Sequence, residues 1–283
     1  MAATTTSTAT ETIYAKILTD MIIDAMYSVA VMDAQVRQES LVGKPSSSYS
    51  FPVWPSLTAA SIAETVDLVS TAVDTTNVDI AVTEASSIRI DVTDLLTESS
   101  ILRDGARFAE QGGKAVADKR DADLAALLAG FSGVVGSSGV DLTEANILDG
   151  LTALTNADAP RPYVIVLHTQ QVGDLRKALS VTTAVVQGST SPESLGGTGA
   201  GFEFSYFGFP VYASTNVPTA NAGADRAGAI FSRGQALARV DKRAIRVRPQ
   251  RDESLRATEF NITSVYGQGE LVDGWGQSII TDA

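Results

Sequence analysis

His168 is the only histidine in the chain, and it is the first residue to test for chemistry. It follows the apolar run Tyr163-Val-Ile-Val-Leu167, at the kind of strand end where open α/β sheets bind ligands. A catalytic histidine needs a nucleophile, a thiolate or a carboxylate beside it. The chain has no cysteine and no G-x-S-x-G elbow, and the local stretch LHTQQVGD offers only Asp174. His168 therefore reads as structural. A small α/β enzyme or binding domain with its site at His168 is the alternative. Gly196-Gly-Thr-Gly-Ala-Gly201 lacks the lysine and the following helix of a phosphate-binding loop, so it reads as a flexible loop. Asp118, Asp121 and Asp123 are close in sequence, but Lys119 and Arg120 lie among them, which suits a solvated mixed-charge face better than a metal site. No catalytic residue, cofactor or metal ligand is assigned.

A different grouping remains. Arg239, Lys242, Arg243, Arg246, Arg248, Arg251 and Arg256 place seven of the 21 basic residues within 18 positions of a chain whose net charge is −12. Nucleic-acid binding draws on many phosphate-neutralising lysines and arginines, which an acidic chain supplies poorly. A solvated strand face is one reading of the cluster. Another is a match to an acidic surface of an identical neighbour, since complementary charge fixes register between subunits. The segment carrying Glu64, Asp67, Asp74, Asp79 and Glu84 is the candidate for that surface, with Arg243, Arg246, Arg248 and Arg251 opposite it.

These residues must be held by recognisable elements. From Leu102 the pattern Ala106, Ala109, Gly113, Val116, Arg120, Leu124, Leu127, Phe131 steps by three or four, which predicts one long helix over 99–131. Ser99 or Ser100 can cap it. Its stripe is narrow and rich in Ala and Gly, so another backbone can lie close against it. The opposite face, with Arg103, Asp104, Glu110, Lys114, Asp118, Lys119 and Asp121, reads as solvated. Before it, Ile88, Ile90 and Val92 alternate with Arg89, Asp91 and Thr93 in a strand expected to run to Leu96. Farther upstream, Pro52 and Pro55 exclude a central strand, and residues 46–87 show few core residues. They predict a two-stranded excursion, marginal alone and ordered by a neighbour. Phe51 and Trp54 are its largest apolar groups and suit interface anchors. An amphipathic helix from Glu11, with Ile13, Ile17, Leu18, Met21, Ile22, Ala25, Met26 and Val29, precedes it.

After the long helix, Asp141-Leu-Thr-Glu144 resembles a capping box. Ile147, Leu148, Leu151 and Leu154 form the buried stripe of the next helix. Tyr163–Leu167 reads as a strand covered on both faces, and Thr169 caps another helix carrying Val172, Leu175 and Leu179. The remainder, from FEFSYFGFPVYAS to SIIT, is β-rich. No apolar run approaches the roughly 18 residues of a membrane helix. MAATTTSTATET is not a secretory signal, so a soluble protein that stays where it is made is expected.

The order of these segments resembles the major capsid proteins of tailed bacteriophages, the Johnson fold of the Hong Kong 97 phage type. The residues that carry the resemblance are Ile90, Val92, Asp94, Leu95, Ser100, Asp121, Asp123, Leu124 and Leu128 around the helix, Gly208-Phe-Pro-Val-Tyr-Ala-Ser214 with Val217-Pro218, the following AGAIFSRGQALARV, and Tyr266-Gly267 inside a β run. The resemblance implies an α+β fold with an N-terminal arm (1–45), an extended β-hairpin E-loop (46–87), a spine helix with the first part of a P-domain (88–140), an A-domain (141–235) and a C-terminal part of the P-domain (236–283). It implies a non-enzymatic subunit that assembles with itself into hexamers and pentamers of an icosahedral shell around double-stranded DNA. A separate scaffolding protein, a portal and a decoration protein are the implied partners, with DNA contacted only non-specifically. The implied locations are the virion and, during assembly, the bacterial host cytoplasm. An encapsulin-like nanocompartment shares this fold and is a second alternative.

Overall fold

The computed structural model describes residues 30–54, 57–59, 61, 62, 64, 67, 70–99, 105–186 and 201–282. The helix expected from Glu11, the Ser100 cap, Leu102 and the glycine-rich stretch 196–200 lie outside them.

Two sheets share one long helix. The first has four strands: β1 (Arg37–Ser40), β4 (Thr83–Thr93), β11 (Leu237–Asp252) and β12 (Ala257–Glu270), in the order β1-β11-β12-β4. β1 runs parallel to β11, and the other pairs are antiparallel. The alternation read in 88–93 is the register of β4, where Ile88 and Ile90 turn inward. The strand stops at Thr93 rather than Leu96, because α1 (Asp94–Ser99) begins there. An acid in a first helical turn faces the positive end of the helix dipole, and Asp94 also donates its N–H to the Arg256 carbonyl at 3.0 Å.

The helix α2 (Gly105–Ala126) ends in a single 3-10 turn, Leu127–Gly130. Gly113, Val116, Arg120, Leu124 and Phe131 are buried as the spacing predicts. A second row, Ala117, Asp121, Ala125 and Leu128, is buried beside them, so the inward face is twice as wide as a single stripe. Its first half lies on the four-stranded sheet, against Ile88, Ile90, Ile245, Val247, Phe260 and Ile262. A Cβ at Gly112 would stand 2.3 Å from the Ile262 side chain, so the missing side chain lets helix and sheet approach.

The second sheet has seven strands: β5 (Val134–Val135), β6 (Tyr163–Leu167), β7 (Phe202–Tyr206), β8 (Phe209–Ala213), β9 (Thr219–Ala220), β10 (Asp225–Ser232) and β13 (Gly276–Asp282). Its order is β5-β13-β10-β6-β8-β7, with β9 also on β10. All five residues of β6 are buried. Tyr163, Ile165 and Leu167 meet α3 (Glu144–Asn156) and α4 (Thr169–Val186) through Ile147, Leu151, Leu154, Val172 and Leu175. Val164 and Val166 meet the end of α2 through Leu124, Leu128 and Phe131. A strand covered on both faces has no polar alternation to show. Two details depart from the sequence reading. α3 starts after Thr143, whose side chain makes no cap bond, so Asp141 lies outside the helix. Leu148 points to solvent, with 40% of its surface exposed.

β11 and β12 belong to the four-stranded sheet, but β13 pairs along β10 in the other one. Residues 236–283 therefore divide between the two sheets. Local periodicity identifies a strand but not its partner.

The third sheet is a hairpin, β2 (Ser48–Val53) with β3 (Thr76–Ala81). Pro52 sits in it opposite Asn77, as a two-stranded sheet without a central strand allows. The expectation that this segment is ordered only by a neighbour is corrected at its base. Phe51 and Ile80 are buried in one cluster with Leu41, Ala238, Val240 and Leu271. A Cβ at Gly267 would lie 2.2 Å from the Ala81 carbonyl oxygen, so glycine there lets the hairpin backbone rest on β12.

Candidate functional site

His168 ends β6 and is buried. Its Nδ1 accepts from the Gln170 N–H at 3.3 Å, and its own N–H donates to Gln171 Oε1 at 3.0 Å. Gln171 in turn donates to the Arg226 and Ile279 carbonyls and to Thr281 Oγ1. Burial first, and then the Arg226 charge, push the imidazole pKa down. The residue closes the turn into α4. Among the described residues no three metal-ligating side chains come together.

The three aspartates of α2 diverge. Asp118 is exposed. Asp123 pairs with Lys119 and accepts from the Tyr266 hydroxyl at 2.9 Å. Asp121 overturns the solvated-face reading, because it is fully buried. Its Oδ1 accepts from the Val31 and Met32 N–H groups at 2.9 and 2.7 Å. Its Oδ2 accepts from Ser214 Oγ at 3.2 Å and Asn216 Nδ2 at 3.0 Å. Burial pushes its pKa up while these four donors oppose that shift. The available signal was spacing: Asp121 stands four residues from both Ala117 and Ala125 in a second inward row.

A second polar network escaped the sequence reading. Arg120 and Arg239 are both buried, and both reach Asp241, at 3.0 and 2.9 Å. Arg239 also pairs with Asp33. Burial works against both charges; for Arg239 the two aspartates prevail and raise its pKa, whereas Arg120 is lowered by burial and by Arg239. Four ionised groups of balanced charge thus tie residue 33, α2 and β11 together. Removing one partner of such a set leaves a buried charge uncompensated, which costs several kcal/mol.

The basic cluster is consequently heterogeneous. Arg239 serves the interior. Lys242 donates to the Lys44 and Ser46 carbonyls. Arg243 donates to Thr263 Oγ1 at 3.4 Å. Arg246 and Arg248 lie on β11 opposite Thr263 and Asn261, with Arg248 exposed. Arg251 is bidentate on Asp94 at 2.6 and 2.7 Å and also meets Glu253. These bonds raise its pKa and occupy its guanidinium within its own chain, which narrows its part in any contact between subunits.

The hairpin residues separate too. Phe51 is interior, so it is no surface anchor. Trp54 is 69% exposed, and Glu64 and Asp67 are exposed. Trp54 and Trp275, with Arg37, Phe51, Gln235 and Leu271, line a cleft of about 330 Å³ at the hairpin's base. Glu270 stands near it. Burial and a hydrogen bond to Asp273 push the Glu270 pKa up to about 7. Asp273 is lowered by its bonds from the Ser132 hydroxyl and N–H.

Comparison with known proteins gives these features a setting. The sequence pattern of a family described as phage capsid protein matches residues 89–272, from β4 through the end of the second long hairpin. Among curated proteins none matches in sequence. The fold is similar to that of the capsid of cyanophage P-SCSP1u, with a TM-score of 0.65, 13% identity, and 90% of this chain and 88% of that one covered. For Mycobacterium phage Che8 the TM-score is 0.60 at 18% identity, covering 83% and 84%. The SrpI encapsulin of Synechococcus elongatus is also similar, at 0.63 and 12% identity over 87% and 85%. The family match takes in the helix and strands of both sheets, short of β1 and β13; the chain belongs to the phage capsid protein family, with the α+β fold of tailed-phage major capsid proteins of the Hong Kong 97 type.

Proposed function

We propose that this subunit forms hexamers and pentamers whose shell encloses double-stranded DNA, and that the distal half of its hairpin grips a neighbour. The observation that carries this is the hairpin's split character. Its base is fixed in the subunit by Phe51 and Ile80, while Trp54, Leu57, Ile62 and Val73 beyond it are exposed. Apolar groups of this size, interleaved with Glu64, Asp67 and Asp74, suit a surface completed by a second copy. On that copy Arg243, Arg246 and Arg248 supply the opposite charge. Arg251 contributes indirectly, by fixing the turn after β11 through Asp94.

In this reading α2 and the four-stranded sheet form the P-domain, and residues 141–235 with β13 form the A-domain. The role is structural, without catalysis. A net charge of −12 suits a container that touches DNA only non-specifically, since a strongly basic lining would retain phosphate. Assembly takes place in the bacterial host's cytoplasm with a separate scaffolding protein and a portal, and a decoration protein is added outside.

The test replaces residues 54–75 by a short Gly/Ser linker, leaving Phe51 and Ile80 in place. The expected product is a soluble subunit with unchanged helical circular dichroism that forms no shells by electron microscopy, where the parent chain forms particles hundreds of ångströms across. Normal shells from the shortened chain would overturn the proposal. Nucleic-acid analysis of the parent shells separates a DNA container from a protein-filled compartment.

A further inference from the structure

The buried carboxylate of Asp121 remains outside the interface just described. It is the tie from α2 to residues 31 and 32, ahead of β1. That junction has further fastenings. Asp33 pairs with Arg239. Arg233 donates to the Ala34 carbonyl at 3.0 and 3.3 Å. Gly234 N–H donates to the Gln35 carbonyl at 2.9 Å. Val31, Met32 and Val36 are buried with Leu124, Leu128 and Phe231. These other polar bonds come from β11 and the turn before it. The Asp121 bonds come from the helix.

We propose that Asp121 is a positioning residue for assembly: it fixes residues 31 and 32 of the N-terminal arm to α2. This rests on the reading of residues 1–45 as the arm that the capsid resemblance implies. Two backbone N–H groups converge on one oxygen, and two side-chain donors on the other. An ionised carboxylate has about four acceptor sites and no donor, so it satisfies all four. Alanine in its place removes both oxygens and leaves the Val31 and Met32 N–H groups without this acceptor in a buried site.

The test is Asp121→Ala in the full chain, followed by amide hydrogen exchange and assembly. In the parent subunit the Val31 and Met32 amides should exchange as slowly as those of β10. Rapid exchange there in the parent chain would refute the tie without any variant. In Asp121→Ala those two amides should exchange at least tenfold faster while β6 and β10 stay protected, and the yield of closed shells should fall severalfold. Asn216→Ala removes one donor from the far oxygen and should leave the Val31 and Met32 amides protected. If Asn216→Ala frees them equally, the loop after β8 rather than Asp121 is the anchor, and the proposal fails. If Asp121→Ala frees them and closed shells still form at the parent's yield, positioning by Asp121 is irrelevant to assembly; the hairpin-tip replacement reports on the interface separately. General loss of protection in β6 and β10 would make Asp121 a core residue and also overturn the proposal.

Discussion

The strand β6 and the hairpin β2–β3 stand at opposite extremes. Every residue of β6 is buried, with helices α3 and α4 on one side and the end of α2 on the other. The hairpin buries Phe51 and Ile80 at its base and leaves Trp54, Leu57, Ile62 and Val73 in water. Burying a large apolar side chain stabilises by about 1.5–3 kcal/mol, whereas ordering a residue's backbone costs roughly 1–2 kcal/mol. β6 recovers that cost within its own chain. The hairpin recovers it only where it touches β11 and β12. A shell subunit needs both kinds of element: one that folds alone, and one whose surface stays open for a neighbour.

Substitution of an equivalent ring in each region sharpens the contrast. Phe231 is wholly buried on β10 between the sheet and the end of α2. Phe231→Ala should destabilise the body by about 3–5 kcal/mol, because it loses transfer energy and leaves a cavity the packed sheet closes poorly. Denaturant unfolding measures this, and a midpoint within error of the parent would break the comparison. Phe51→Ala removes a ring that is as deeply buried, but in a cluster belonging to the hairpin's base. Its effect should be smaller and local. Amides of β2 and β3 should lose protection at low denaturant while those of β6 keep theirs, as expected for a separately opening unit. If both strands and β6 open together, the hairpin belongs to the body's cooperative core and the two regions are one.

The same contrast explains what the sequence made legible. β6 announced itself by an unbroken apolar run, and α2 by its steps of three and four. The β7–β8 turn was not read, since Phe207 takes a positive φ before Gly208 where such turns usually place Asn, Asp or Gly. Phe51 was visible as an aromatic in a polar segment. Its burial was not, because the cluster around it comes from residues 41, 80, 238, 240 and 271, which no local window contains. Asp121 failed for a related reason. A carboxylate beside Lys119 and Arg120 has the composition of a solvated face, and only the arrival of residues 31, 32, 214 and 216 makes it interior. The return of β13 to β10 is likewise a pairing choice, to which alternation within one strand is blind. The sequence pattern thus reports which faces are apolar, and the long-range donors decide which polar groups join them.

The smallest expected effect lies where the two regions meet. Glu270 ends β12 beside Leu271 of the hairpin cluster, and its partner Asp273 holds Ser132 just past α2. Its pKa is raised from 4.5 to about 7 by burial and by Asp273. The folded state therefore binds this proton more tightly than the unfolded chain does. Stability rises with pH only where the unfolded state holds more protons, so here it falls. The contribution is complete below about pH 4.5, declines as pH rises towards 7, and is absent above that. Glu270→Gln keeps a neutral donor facing Asp273 and has no proton to lose. Between pH 5 and 8 the parent's unfolding midpoint should fall relative to that of Glu270→Gln. His168, whose pKa burial lowers, acts in the opposite sense but is common to both proteins and cancels in the difference. Asp273 is lowered and stays ionised across the window. Parallel midpoints from pH 5 to 8 would show that the carboxyl pair does not share a proton. A difference accompanied by earlier exchange in β2 and β3, with β6 unchanged, would show that the pair holds the hairpin's base rather than the body.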